Sequence, residues 1–222
     1  EAPAGGSVIL AGVLLKMGVY GFLRFAIPLF PAGFEACAAP LAWLALAGIV
    51  YGALMAMAQD DLKRMVAYSS VSHLGFAVLG LTTLRMAGVS GAVLHMVNHG
   101  LGTGALFILV GVLYDRTHRR GLDDFGGLAR TAPVFAACLL LASLASIGLP
   151  GLNGFVGEFL VLLGTFQATG PGAAGRWQAA VAALGMVLGA VYMLSAVRRV
   201  CFGPPRREDA GRIPDMDRRE RA

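Results

Sequence analysis

A chain of 222 residues is long enough for one or two soluble domains, yet 57% of its residues are hydrophobic, only 14% are charged and the mean hydropathy is +0.70. That composition excludes an ordinary soluble domain, because several apolar runs reach the ~20 residues that cross ~30 Å of hydrocarbon. The net charge of +5 does not point to nucleic acid, since the basic residues sit in loops and tail without the aromatic-interleaved basic face such binding needs.

The first predicted span runs from about Ser7 to Phe30, opened by Pro3 and Ser7 and closed by Pro31 and Gly33. Lys16 lies near its middle, with Gly12, Gly18 and Gly21 nearby to allow close helix approach. A lysine at the bilayer centre costs roughly 2.5–3.5 kcal/mol on insertion scales, so it requires a partner or a water-filled cavity. It lies too deep to snorkel, whereas Arg24 is placed to reach the interface. The second span, about Pro40 to Ala58, carries Trp43 near one end as an interfacial anchor. The turn Gln59-Asp60-Asp61-Leu62-Lys63-Arg64 reads as a solvated loop with helix-capping aspartates. The third span, about Leu62 to Thr83, carries Tyr68, Ser69, Ser70, Ser72 and, at mid-depth among these hydroxyls, His73. A structural hydrogen-bonded histidine and a proton-relay histidine fit that position equally well.

The fourth span, about Gly88 to Tyr114, places His95 and His99 four apart and so on one helix face, with Asn98 and Thr103 close by. Two histidines at this spacing can bind zinc, as in H-E-x-x-H proteases. Here Met96, Val97 and Asn98 intervene, with no glutamate beside the first histidine. A relay of groups that titrate near neutral pH is the better account, and no metal is expected. Residues Asp115 to Arg130 form a polar loop with a basic bias.

The fifth span, about 133–168, is predicted to be broken. Ala142 to Phe166 reads ASLASIGLPGLNGFVGEFLVLLGTF, two apolar helical halves interrupted at Gly148, Pro150, Gly151, Asn153 and Gly154. The proline lacks an N–H and clashes with the preceding turn, while the glycines tolerate the bend. In lipid such a break survives only where protein or water satisfies the freed backbone groups. Just past it sits Glu158, and a broken helix carrying an acid at membrane depth is what ion and proton pathways are built from. The plainer alternative is a proline-kinked helix whose glutamate snorkels to the surface. A glycine-rich turn from Thr169 to Arg176 leads to Trp177 and a sixth span ending near Phe202. The expected architecture is therefore an all-α integral membrane bundle of six transmembrane helices over 1–203, with a charged cytoplasmic segment at 204–222.

Cys37, Cys138 and Cys201 are scattered and imply neither a disulfide framework nor a metal box. The chain opens Glu1-Ala2-Pro3 with no initiator methionine or signal peptide, so a piece of a longer protein is expected. Orientation follows from the basic residues. One side receives Lys63, Arg64, Arg116, Arg119, Arg120, Arg130 and every basic residue from Arg198 onward, and the other only Arg85 and Arg176 apart from Arg24. The first side is read as cytoplasmic.

Lys16, His73, His95, His99 and Glu158 thus fall on four spans, each within the apolar region. The wording around them is distinctive: SVILAGVLLKMGVYGFLRF, AQDDLKRMVAYSSVSHLGF, LHMVNHGLGTGALFILVGVLYDRTH and GLPGLNGFVGEFLVL. Together these resemble the antiporter-like membrane subunits of NADH–quinone oxidoreductase (respiratory complex I). Glu158 in the broken helix resembles the subunit M branch, counterpart of mitochondrial chain 4, because sister subunits and multisubunit cation/proton antiporters usually carry a lysine there. Members of this family have about fourteen spans, and the six here resemble spans eight to thirteen.

The resemblance implies proton translocation coupled to quinone reduction, by a subunit of a redox translocase that performs no redox chemistry itself. Lys16 would be the central proton carrier, His73, His95 and His99 would pass protons or order water, and Glu158 would be the terminal site. NADH, FMN, iron–sulfur clusters and quinone would lie on partner subunits. The partners implied are neighbouring antiporter-like subunits within the lipid bilayer, in the inner membrane of a bacterium, with no nucleic acid. A subunit of a cation/proton antiporter or membrane-bound hydrogenase is the alternative within the same superfamily. A structural subunit in which Lys16 and Glu158 merely glue helices is the alternative outside it.

Overall fold

The computed structural model describes residues 3–168, 175–204 and 214–217. Its long elements are all helices: α1 (Gly5–Leu29), α2 (Pro31–Met57), α3 (Leu62–Thr82) and α4 (Met86–Thr117), then the shorter α5 (Pro133–Ser146) and α6 (Asn153–Gln167), and finally α7 (Arg176–Phe202). Among the described residues, five are long and apolar enough to cross a membrane. Even α3, with 21 residues, extends about 32 Å at 1.5 Å per residue. The sixth crossing is made by α5 and α6 in series, whose 14 and 15 residues are each too short to span alone. This is the all-α antiporter-like bundle expected, with the break where the sequence placed it.

The central helices are α3 and α4, and α1 is the outermost. Glycines let α4 and α6 touch: a Cβ on Gly91 would lie 2.7 Å from the Val161 amide, and one on Gly157 would lie 2.9 Å from the His95 backbone. The glycines expected to bring neighbours onto α1 behave differently. Gly12 faces the Gly100 carbonyl, but a Cβ on Gly18 or Gly21 would meet nothing within 4 Å.

Two expectations need correction in α2. It begins at Pro31 rather than at Pro40, so Pro40 lies inside the helix. Pro31 occupies a first-turn position where a missing N–H costs nothing, and the alanines that follow favour helix over the expected loop. Trp43, exposed on α2, therefore sits near the middle of its helix rather than near one end. The arginine of α1, Arg24, is exposed as expected. α1 is also not a regular α-helix, containing π-turns at Leu10–Leu14 and Phe22–Ala26 that flank Lys16.

One end of the bundle gathers the loops with the basic residues. The Leu62 amide bonds the Arg120 carbonyl and the Leu122 amide bonds the Asp60 carbonyl, joining the α2–α3 turn to the loop after α4. Asp61 caps α3 by accepting from the Arg64 amide at 3.0 Å. Arg199, in the last turn of α7, lies 2.7 Å from Asp123 and 3.9 Å from Asp60. The expected glycine-rich turn falls largely outside the described residues, as does all of the expected charged tail beyond Pro204 except 214–217.

Candidate functional site

The break in the fifth span organises the site. α5 ends in a Schellman motif: the Leu149 amide bonds the Leu144 carbonyl, the Gly148 amide bonds the Ala145 carbonyl, and Gly148 takes the left-handed φ of +68°. Gly151 turns the chain again at φ +98°, and α6 starts at Asn153, with Gly154 packed directly on the Ala145 carbonyl. The carbonyls of Leu144, Ala145 and Leu149 thus find partners inside the break itself, the last from the Leu152 amide at 3.0 Å. Asn98 of α4 ties the break to its neighbour, donating to the Asn153 carbonyl at the start of α6 at 2.6 Å.

Glu158 lies in the second turn of α6 with 2% of its surface exposed, which rules out the snorkelling reading. Its carboxylate packs against Gly148, where any Cβ would overlap Oε2. Oε1 stands 3.4 Å from Nδ1 of His73, within ion-pair reach and just beyond a normal hydrogen bond.

His73 is the hub of three imidazoles. Its ring centroid lies 5.5 Å from that of His95 and 5.2 Å from that of His99, and these two are 6.2 Å apart. All three are buried. Nε2 of His95 is 3.0 Å from the His73 carbonyl oxygen. A carbonyl only accepts, so Nε2 carries the proton and, in the neutral ring, Nδ1 keeps its lone pair. His99 Nε2 pairs with the Thr103 hydroxyl at 3.0 Å. Nδ1 of each histidine and Oε2 of Glu158 have no hydrogen-bond partner among the described residues, so the cluster holds unused proton donors and acceptors.

Lys16 stands one step away. It is buried, and its Nζ donates to the Ala11 carbonyl rather than to a histidine. The π-turn explains that bond: the Leu15 amide reaches back to the Leu10 carbonyl at 3.0 Å, so Ala11 loses its usual α-helical donor. Gly12, about one turn before Lys16, nevertheless packs on the Gly100 carbonyl of α4, next to His99. Of the five sequence-picked residues, then, the structure joins His73, His95, His99 and Glu158 in one buried group and sets Lys16 beside it.

His73, His95 and Glu158 each offer a ligand atom, all within 4.8 Å of one another, and are the residues that would hold a metal ion. Sequence reading did not assign Tyr192. It is buried on α7, in the same apolar cluster as Met65 and Val66 of the helix that carries His73. The available signal was a tyrosine deep in an apolar span, where its hydroxyl needs a partner.

The fold and this buried row define an antiporter-like membrane subunit. A family model described as NADH:quinone oxidoreductase/Mrp antiporter, transmembrane, matches residues 1–181, and the chain belongs to that family. Over 222 residues it is 46% identical to NADH-quinone oxidoreductase subunit M of Rhodobacter capsulatus, covering all of this chain and 42% of that one. It is 44% identical to NADH-ubiquinone oxidoreductase chain 4 of Marchantia polymorpha, over 99% of this chain and 43% of the relative. A chain of respiratory complex I from Thermus thermophilus with bound NADH matches at a TM-score of 0.89 and 38% identity, covering 98% of this chain and 44% of that chain. Subunit M is thus the branch the chain resembles, as its motifs imply, and it spans about two-fifths of the length of these curated relatives.

Proposed function

We propose that this chain forms a proton-carrying part of an antiporter-like subunit that couples quinone reduction to proton translocation. Lys16 exchanges protons with the histidine cluster, His99 and His95 pass them to His73, and Glu158 is the terminal group at the helix break. The observation that carries this reading is the buried approach of His73 Nδ1 to Glu158 Oε1 at 3.4 Å, made by two different helices inside the apolar layer. A buried charge is costly unless a counter-charge stands beside it, so moving one charge along the row loads or unloads its neighbour. The electrical scale against which such a row works is ~2.3 kcal/mol per charge per 100 mV.

In this reading NADH, FMN, iron–sulfur clusters and quinone reside on partner subunits, among them neighbouring antiporter-like subunits. The membrane is a bacterial inner membrane. Its cytoplasmic side receives the loop layer with Lys63, Arg64, Arg116, Arg119, Arg120, Arg130 and Arg199, by the bias of basic residues. Glu158→Gln and Glu158→Asp in the full-length subunit test the relay. Proton pumping in membrane vesicles should be largely lost with glutamine and partly retained with aspartate. A glutamine variant that pumps like wild type would make Glu158 a structural residue.

A further inference from the structure

The start of α5 has a specific deficit. Its N-cap is Ala132, which has no side-chain acceptor, and its first residue, Pro133, has no N–H. The Ala136 amide already bonds the Ala132 carbonyl at 3.0 Å. That leaves the amides of Val134 and Phe135 to be satisfied from elsewhere.

Both are taken by one side chain from the tail. Asp215 Oδ2 accepts from the Val134 amide and Oδ1 from the Phe135 amide, each at 3.1 Å, across 81 and 80 residues of sequence. The tripeptide that carries it is anchored on both sides. Arg116, in the last turn of α4, donates to the Pro214 carbonyl, and Met216 is buried in the same apolar cluster as Phe135 and Leu139. A carboxylate at a helix N-terminus also meets the positive end of the helix dipole.

Two residues past the other end of α5 lies Gly148, seated on the Glu158 carboxylate with no room for a Cβ. An α-helix is stiff along its axis, so the 14 residues of α5, about 21 Å long, carry an axial constraint from the loop layer to the acid. We propose that Asp215 is a positioning residue: it caps α5 from outside the helix, ties it to the end of the histidine-bearing α4, and so fixes the helix break against Glu158. This rests on the relay reading of Glu158.

The test uses the full-length subunit in the assembled complex, with Asp215→Ala, Asp215→Asn and Asp215→Ser, alone and combined with Glu158→Gln. Hydrogen exchange of peptides covering 133–137 should rise at least about tenfold in the alanine variant. Pumping turnover per assembled complex should fall about fivefold, with asparagine, which keeps one of the two acceptor oxygens, recovering part of it and serine, with one shorter-reaching hydroxyl, less. In the Glu158→Gln background the alanine change should remove nothing further, because both act on one group. Unchanged exchange at 133–137, unchanged turnover, or a full additional loss on top of Glu158→Gln each overturns the capping inference and leaves the relay standing. Normal pumping by Glu158→Gln alone overturns both.

Discussion

Two glycines of the helix break allow backbone strain to be separated from displacement of the acid. Gly148 and Gly151 both have positive φ, +68° and +98°, so alanine at either costs about 1–2 kcal/mol of backbone strain, with Gly151 the further from the left-handed minimum. Their surroundings differ. A Cβ on Gly148 would overlap Glu158 Oε2, whereas one on Gly151 would meet nothing within 4 Å. Relieving the overlap by moving the carboxylate about 1 Å from the His73 Nδ1 now 3.4 Å away weakens the pair, whenever the relay proton sits on His73, by about 1 kcal/mol at an effective dielectric of about 20. That corresponds to roughly a fivefold effect on proton occupancy, and misplacement of a reacting group by 1 Å can cost as much as about a hundredfold. Both variants should therefore melt earlier, by similar amounts, in a thermal-shift measurement on the purified complex. Only Gly148→Ala should lower quinone reductase turnover per assembled complex, by about fivefold or more. Equal turnover losses at the two positions, or wild-type turnover at Gly148→Ala, would refute the idea that this glycine exists to seat the carboxylate.

Lys16→Ala should leave the complex assembled while quinone reduction and proton pumping fall together by at least about tenfold; a normal proton yield in vesicles of that mutant would exclude Lys16 from the row. Single His95→Ala and His99→Ala changes should each give intermediate turnover, because a hydrated relay has parallel routes. Elemental analysis of the purified complex should assign no zinc to this subunit, and stoichiometric metal lost in either mutant would show a ligand role instead. Gly157→Ala should destabilise the α4–α6 contact by about 1–3 kcal/mol, since its Cβ would press on the His95 backbone at 2.9 Å. Unchanged thermal stability of that variant would mean that the two helices have slack where none is visible.

The spans were legible because each apolar run is about as long as the membrane is thick, and the break was legible because Gly148, Pro150, Gly151 and Gly154 cluster in seven residues. The site was legible for a related reason: histidine, lysine and glutamate are too costly in an apolar run to be there by accident. Pro40 misled because proline marks a helix start in most contexts, while the first-turn proline nine residues earlier was the true start. The π-turns beside Lys16 leave no compositional trace, since an extra residue per turn needs no special side chain. Tyr192 and Asp215 were missed for another reason. Their neighbours in the fold, Met65 and Val66 of α3 and the start of α5, are more than 80 residues away in sequence, and only the assembled bundle brings them together.

The loop layer also sets an order of events during synthesis. The pairing of residues 60–62 with 120–122 can form once α3 and α4 have left the ribosome and entered the bilayer. Arg199 reaches Asp123 only after another 76 residues have been made, and the Val134 amide waits 81 residues for Asp215. Until then α5 sits in the membrane with its leading amides dependent on water or lipid headgroups. The broken span of α5 and α6 is therefore the last crossing to gain its end contacts, and its lifetime in that interim is set by how quickly α7 and the tail follow.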